Sequence, residues 1–267
     1  MRSPAAFLPA REQVIRSFSG AAHEYHRHAL HHRVIARRLA GLVPGDEIPG
    51  RILETGCGTG ILTEKLVRRF PEAEFTVLDI SPDMVLQCRK RLTGFDGVSF
   101  RVMDGESMYR IRRKYDLAAS SCAIQWFHGR EGVPGLFRGV LQRNGLVLTA
   151  IPVRGTLNEL EESFRRGAGI AMQSLELQSG EYWHQNFTAA GFEPLFSRVE
   201  DAAVRYGTPL AVLKGIRGIG AVLRSGRKCV DPGRIGAMSK YYRETFSERR
   251  GGVVCTYRVH YFCGRKV

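Results

Sequence analysis

In Arg51-Ile52-Leu53-Glu54-Thr55-Gly56-Cys57-Gly58-Thr59-Gly60, a short apolar run meets three glycines at alternate positions. Residues 51–54 read as a strand, and residues 61–70, apolar at helical spacing, read as the amphipathic helix that follows. Glycines between a strand and a helix let the backbone turn tightly and a ligand approach closely, while the first N–H groups of the helix stay free to bind it. The spacing is GxGxG, not the GxGxxG of dinucleotide-binding proteins, and Glu54 stands two positions before the first glycine.

The alternation continues downstream. Strands are predicted at 74–80, 98–103, 115–121 and 145–152, with helices at 82–92 and 133–141 between them. Such a pattern implies a doubly wound α/β fold, its mostly parallel sheet covered by helices on both faces. Residues 157–190 read as helical, and 194–206 and 253–262 add a sixth and a seventh strand. Upstream, residues 11–42 read as one helical run, with Val14, Phe18, Ala21, Ala22, Tyr25, Val34, Ile35 and Leu39 forming its apolar stripe, until Pro44, Gly45, Pro49 and Gly50 break it. Residues 207–252 are too long for a hairpin loop and carry helical periodicity. The expected organisation is therefore a helical lid segment at 1–50, a ligand-binding core at 51–206 with 253–267, and a helical insertion at 207–252.

Two carboxylates stand at the ends of later strands. Asp79, 19 residues beyond Gly60, is placed to accept bonds from ribose hydroxyls, and Asp104 closes the third strand in Met103-Asp104-Gly105-Glu106. Loop and carboxylates together resemble the class I S-adenosylmethionine-dependent methyltransferases, whose first motif is acidic-x-G-x-G-x-G, and the resemblance covers roughly residues 52–152. It implies a seven-stranded, Rossmann-like methyltransferase sheet. It also implies S-adenosylmethionine as cofactor, with Glu54, Gly56, Gly58 and Gly60 at the methionine moiety, Asp79 at the ribose and Asp104 at the adenine. Ile80, Met84, Gly105 and Ser120 complete the implied surroundings of the cofactor.

Pieces outside the core resemble a narrower family. Phe18-Ser-Gly-Ala21-Ala22-His-Glu-Tyr25, then Ile124-Gln125-Trp126 after the fourth strand, and Leu213-Lys214-Gly-Ile-Arg217-Gly218-Ile-Gly220-Ala221 in the insertion are similar to motifs of the malonyl-acyl-carrier-protein O-methyltransferases of biotin synthesis. The resemblance implies methyl transfer to the free carboxylate of a malonyl thioester, with Tyr25, Gln125 and Arg217 as catalytic candidates. Arg217 stands where the family has a lysine, with Lys214 one helical turn earlier. An acidic acyl carrier protein is the implied partner, with neither metal, membrane nor nucleic acid.

The chemistry agrees. A malonyl carboxylate is ionised near neutrality and is already a nucleophile, so the enzyme needs orientation and water exclusion, not a general base. The net charge of +14 over 267 residues favours an acidic partner. Arg37-Arg38, Arg112-Arg113-Lys114 and the spaced set Lys214, Arg217, Arg224 and Lys228 are candidate docking groups, although Gly215, Gly218 and Gly220 weaken a helix there. The same surplus leaves open a methyltransferase acting on RNA, against which the fourth strand runs into Ser120-Ser121-Cys122-Ala123 instead of an N/D-P-P-Y/F tetrapeptide. Another small carboxylic acid, or a silent cofactor-binding partner, are further alternatives.

His23, His26, His28, His31 and His32 crowd the N-terminal run, and His28 and His32 have the i, i+4 spacing of metal ligands. With no accompanying ligand motif, a solvated or partner-facing helix is the expectation. The six cysteines show no CxxC spacing, and no long apolar stretch or signal-like h-region is present, so reduced thiols in a cytoplasmic protein are expected.

Overall fold

The computed structural model describes residues 8–172, 175–221 and 231–267. Its sheet comprises β1 (Arg51–Thr55), β2 (Glu74–Asp79), β3 (Val98–Val102), β4 (Tyr115–Ser121), β5 (Leu141–Pro152), β6 (Phe192–Tyr206) and β7 (Val253–Lys266), in the spatial order β3-β2-β1-β4-β5-β7-β6. The first five strands run parallel, while β7 enters antiparallel between β5 and β6. Ile52, Leu53, Val77, Leu78, Leu117 and Ala118 are all but fully buried. Near-continuous apolar runs are what a parallel strand covered on both faces requires.

Helices α3 (Ile61–Arg69), α4 (Pro82–Arg91) and α5 (Val133–Val140) make the crossovers. The start of α4 is fixed locally: Ser81 Oγ accepts from Met84 N at 3.2 Å, and Pro82 presets the first helical φ. Strand order reverses between β1 and β4, so the carboxyl ends of these strands open a crevice at the topological switch point.

Two helical expectations are corrected. The run at 11–42 divides at Ala29 into α1 (Arg11–His28) and α2 (Leu30–Ala40). At the break the Ala29 N–H donates to Tyr25 O, closing α1, and Ala29 itself is fully buried. Among the described residues of 157–190, the helical elements are α6 (Asn158–Glu162), a wide π-type turn (Ser163–Gly167) and α7 (Gly180–Ala189), capped by Ser179.

Between β6 and β7, α8 (Pro209–Gly218) and α9 (Pro232–Phe246) form. Gly218 at the end of α8 and Gly220 just beyond it are explained by tertiary packing. A Cβ at Gly218 would lie 2.2 Å from the His28 ring, and one at Gly220, whose φ is +72°, would lie 2.7 Å from Ser17 O. Close approach of α8 to α1 thus offsets the intrinsic helix cost of glycine, roughly 1 kcal/mol per residue. Arg224 and Lys228 lie outside the described residues. Among the described residues, no helix is long and apolar enough to cross a membrane.

Candidate functional site

The carboxyl ends of β1, β2 and β4 and the inner face of α1 line an open cleft. At its floor, the loop after β1 is held by Gly56 N–H and Cys57 N–H donating to Leu78 O, at 2.8 and 3.1 Å. Gly58 adopts φ +52°, and a Cβ placed on it would meet nothing within 4 Å. The backbone therefore faces the cleft bare, and a side chain there would fill ligand space.

Three acidic groups surround this loop end. Glu54 is buried at the end of β1, its Oε2 lacking a hydrogen-bond partner among the described residues, as does the neighbouring Thr55 Oγ1. Burial pushes the Glu54 carboxyl up to about 8, against a hydrogen bond from Thr63 that works the other way. Asp79 accepts from Gly58 N and Ser81 N, both at 2.9 Å; burial raises its carboxyl, and these backbone donors oppose the rise. Asp104 caps the turn after β3 through Oδ1, accepting from Glu106 N at 2.9 Å.

The opposite wall comes from the N-terminal helices. Val14, Phe18 and Tyr25 of α1 line the cleft, and Phe18 meets the edge of Trp126 at a centroid distance of 5.4 Å. Ser19 Oγ and Ser81 Oγ lie 2.9 Å apart, joining α1 to α4. Arg11 closes the rim: its Nε lies 3.0 Å from Asp104 Oδ2, and its Nη2 donates to Glu106 Oε2 at 2.8 Å. Glu106 also accepts from Gly129 N at 2.7 Å, and these donors hold its carboxyl below the usual range despite burial.

Nine of the residues singled out from the sequence converge here: Tyr25, Glu54, Gly56, Gly58, Asp79, Ile80, Met84, Asp104 and Gly105. Four do not line the cleft. Gly60 caps α3, against Cys88, and Ser120 Oγ donates to Thr55 O at 2.9 Å, tying β4 to β1. Gln125 is buried beneath the wall and donates to Cys122 O at 2.7 Å. Arg217 is exposed on α8, beside exposed Lys214.

Sequence reasoning passed over Arg11, Thr55 and Cys122 as lining residues, and read the histidines as lying on a solvated or partner-facing helix, which holds for exposed His23. For His31 and His32 that reading is corrected, and the break at Ala29 places His28 and His32 on different helices. His31 is 3% exposed, and His32 lines the cleft. Among the described residues no group of three His, Cys, Asp or Glu is placed to hold a metal ion. Arg11 carries no local signal, because its partners are about ninety residues away; only the topology brings them together.

Residues 52–145 match the family model described as a methyltransferase domain. The chain is 33% identical to the biotin biosynthesis bifunctional protein BioCD of Bordetella avium, over 97% of this chain and 53% of that protein, so it spans about half of that relative's length. It is 30% identical to malonyl-[acyl-carrier protein] O-methyltransferase 2 of Ilyobacter polytropus, over 79% of this chain and 81% of the relative. A crystal structure of a putative methyltransferase from Bacillus halodurans superposes with a TM-score of 0.61 at 14% identity, covering 86% of this chain and 98% of that one, which shows the shared fold. With a relative this similar matched over most of both chains, the protein belongs to the malonyl-[acyl-carrier protein] O-methyltransferase family.

Proposed function

We propose that this chain transfers a methyl group from S-adenosylmethionine to the free carboxylate of a malonyl thioester carried by an acyl carrier protein, giving the methyl ester that primes pimeloyl synthesis for biotin. The observation that carries the reading is the glycine-floored cleft, whose buried Glu54 Oε2 and Thr55 Oγ1 lack partners among the described residues at the loop end. Buried polar atoms left unpaired are costly, so their presence at a cleft fits a ligand that completes them.

The residues fit the cofactor. Glu54 would meet its ammonium, the Gly56–Gly58 backbone its methionine chain, Asp79 its ribose, and Asp104 with Gly105 its adenine, while Ile80 and Met84 supply apolar wall. When bound, S-adenosylmethionine supplies an electrophilic sulfonium methyl, which a carboxylate oxygen takes to leave S-adenosylhomocysteine. Everything else is positioning. Phe18, Tyr25 and Trp126 exclude water from the acceptor side, which strengthens each polar contact inside. Gln125, donating to Cys122 O, holds the chain after β4, where Cys122 sits at φ +54°.

On this reading residues 1–50 serve as the lid, 51–206 with 253–267 as the cofactor-binding core, and 207–252 as the substrate-side insertion. Exposed Lys214 and Arg217, packed against the lid through α8, would attract the acidic carrier. The test is to incubate the protein with methyl-labelled cofactor and separate samples of malonyl-carrier protein, malonyl-coenzyme A and bulk RNA. Label should enter the malonyl thioesters and be released as methanol by mild alkali, as a methyl ester requires. Label that enters RNA, or that survives alkali, would overturn the assignment.

A further inference from the structure

A carboxylate entering the cleft meets an unfavourable field at most points. Among the described lining residues, Asp79, Asp104 and Glu106 are acidic, Glu54 joins them once a ligand ammonium ionises it, and Arg11, the one cationic side chain, is already bound to Asp104 and Glu106. Like charges in a water-poor cleft repel strongly, so an anionic group is driven to the stretch of wall without carboxylates. Tyr25, His32, Ala36 and Cys122 line one stretch that contributes no carboxylate of its own, with Asp79 the one carboxylate acting on the Tyr25 hydroxyl.

Two polar side chains on this stretch are unspent. The Tyr25 hydroxyl, on a side chain only 7% exposed, makes no hydrogen bond among the described residues, and neither ring nitrogen of His32 makes one. Their rings lie edge to face, with centroids 5.6 Å apart, and Tyr257 flanks His32 from behind at 5.9 Å. The adjacent histidine shows the contrast. His31 Nε2 lies 2.8 Å from Cys255 O and its Nδ1 3.4 Å from Tyr206 OH, and the ring stacks on Tyr257 at 4.2 Å. His31 is therefore committed to the core, whereas His32 keeps its hydrogen-bonding capacity for the cleft. Burial holds the His32 imidazole neutral, so it carries one N–H donor there.

We infer that His32, together with the Tyr25 hydroxyl, binds the acceptor carboxylate and distinguishes a malonyl from an acetyl thioester. The inference rests on the proposed function for the identity of the acceptor, and it adds the residue that selects it. Two neutral donors suit this role, because they orient one carboxylate oxygen without a salt bridge that would quench the nucleophilicity of the other. A structural His32 would instead contribute only packing between Tyr25 and Tyr257.

The experiment is binding of malonyl-coenzyme A and acetyl-coenzyme A to the full chain saturated with S-adenosylhomocysteine, alongside steady-state methylation. Wild type should prefer the malonyl thioester. His32→Leu should reduce that preference by about tenfold or more, the scale of a lost hydrogen bond to a charged group, while affinity for S-adenosylhomocysteine stays unchanged. His32→Gln, which restores an N–H donor, should recover most of the preference. In methylation, His32→Leu should raise KM for the malonyl substrate as well as lower kcat. Preference and KM unchanged in folded His32→Leu would overturn the role of His32 and leave the methyltransferase reading intact. If His32→Leu does not fold, loss of preference in Tyr25→Phe and its retention in His32→Gln remain the required result, and an equal loss in His32→Gln would overturn the inference. A wild type that methylates neither thioester and shows no preference would overturn the carboxylate reading, and His32's role with it.

Discussion

Glu54 couples the site to protons. Its carboxyl, pushed up to about 8 by burial, is mostly protonated in the free protein at pH 7, whereas beside a ligand ammonium it would be ionised. Binding of S-adenosylhomocysteine at pH 7 should therefore release close to one proton. Calorimetry in buffers of different ionisation enthalpy reads this directly, and Glu54→Gln should abolish it; buffer-independent heats would remove Glu54 from the ammonium site. Gly58 and Asp79 are tested through affinity. Gly58→Val puts a branched side chain into space where nothing lies within 4 Å, at a φ of +52° that valine resists. Asp79→Ala removes the acceptor of charge-assisted bonds, each worth about 1.5–3 kcal/mol. Both folded variants should bind cofactor at least about tenfold more weakly, and unchanged affinity in both would sink the cofactor assignment.

Among the elements, α1 is one whose packing partners the sequence did not disclose. Its stripe of Val14, Phe18, Ala22 and Tyr25 was legible from periodicity, as were the crossover helices and the carboxyl-end location of Glu54, Asp79 and Asp104. Hydrophobic spacing reports which face is buried but not against what. The packing of α1 on α4 and α8, the Arg11 contacts and the inward turn of His32 arise from pairings across long stretches of chain. The break at Ala29 escaped for a related reason: alanine is a strong helix former, and tertiary burial outweighed its propensity. The antiparallel entry of β7 between β5 and β6 is likewise a matter of topology, which strand patterns leave open. If α1 is the lid, Arg11 is its latch onto Asp104 and Glu106. Because Arg11 is about half exposed, the latch is modest, on the order of 1 kcal/mol or less. Arg11→Ala should accelerate dissociation of bound S-adenosylhomocysteine by about threefold with little change in melting temperature. Stopped-flow release rates identical to wild type would show that α1 does not gate the cleft.

Across the whole molecule, buried titratable groups and surface charge act in separate ways. Burial holds His31 and His260 down at about 4 and His32 near 3, so between about pH 6.5 and 4 the unfolded chain binds protons that the fold refuses. Stability from these groups is present above 6.5 and is lost as pH falls, by up to about 1.4 kcal/mol per pH unit for each histidine. Glu54 has the opposite sign, its contribution being lost as pH rises towards 8. Three histidines outweigh one carboxyl below 6.5, so thermal melts should peak near pH 6.5 and decline more steeply on the acid side; a flat acid limb would contradict the buried neutral histidines. Surface charge bears on the partner instead. Some of the basic side chains are paired, as Arg38 with Glu200, Arg113 with Glu74 and Arg265 with Glu47. Lys214 and Arg217 are different, since both are exposed on α8 where it packs against α1. Attraction between exposed charges is screened within about 8 Å at physiological salt, so it governs encounter more than the final contacts. Reversing Lys214 or Arg217 to Glu should therefore lower kcat/KM on malonyl-carrier protein several-fold while leaving malonyl-coenzyme A, whose chain reaches the cleft unaided, far less affected. Raising salt should mimic the reversal for wild type and have less effect on the reversed variants, because the attraction it screens is already gone. Equal losses on both substrates would place these residues at the thioester itself, and no loss on either would remove α8 from the carrier's path.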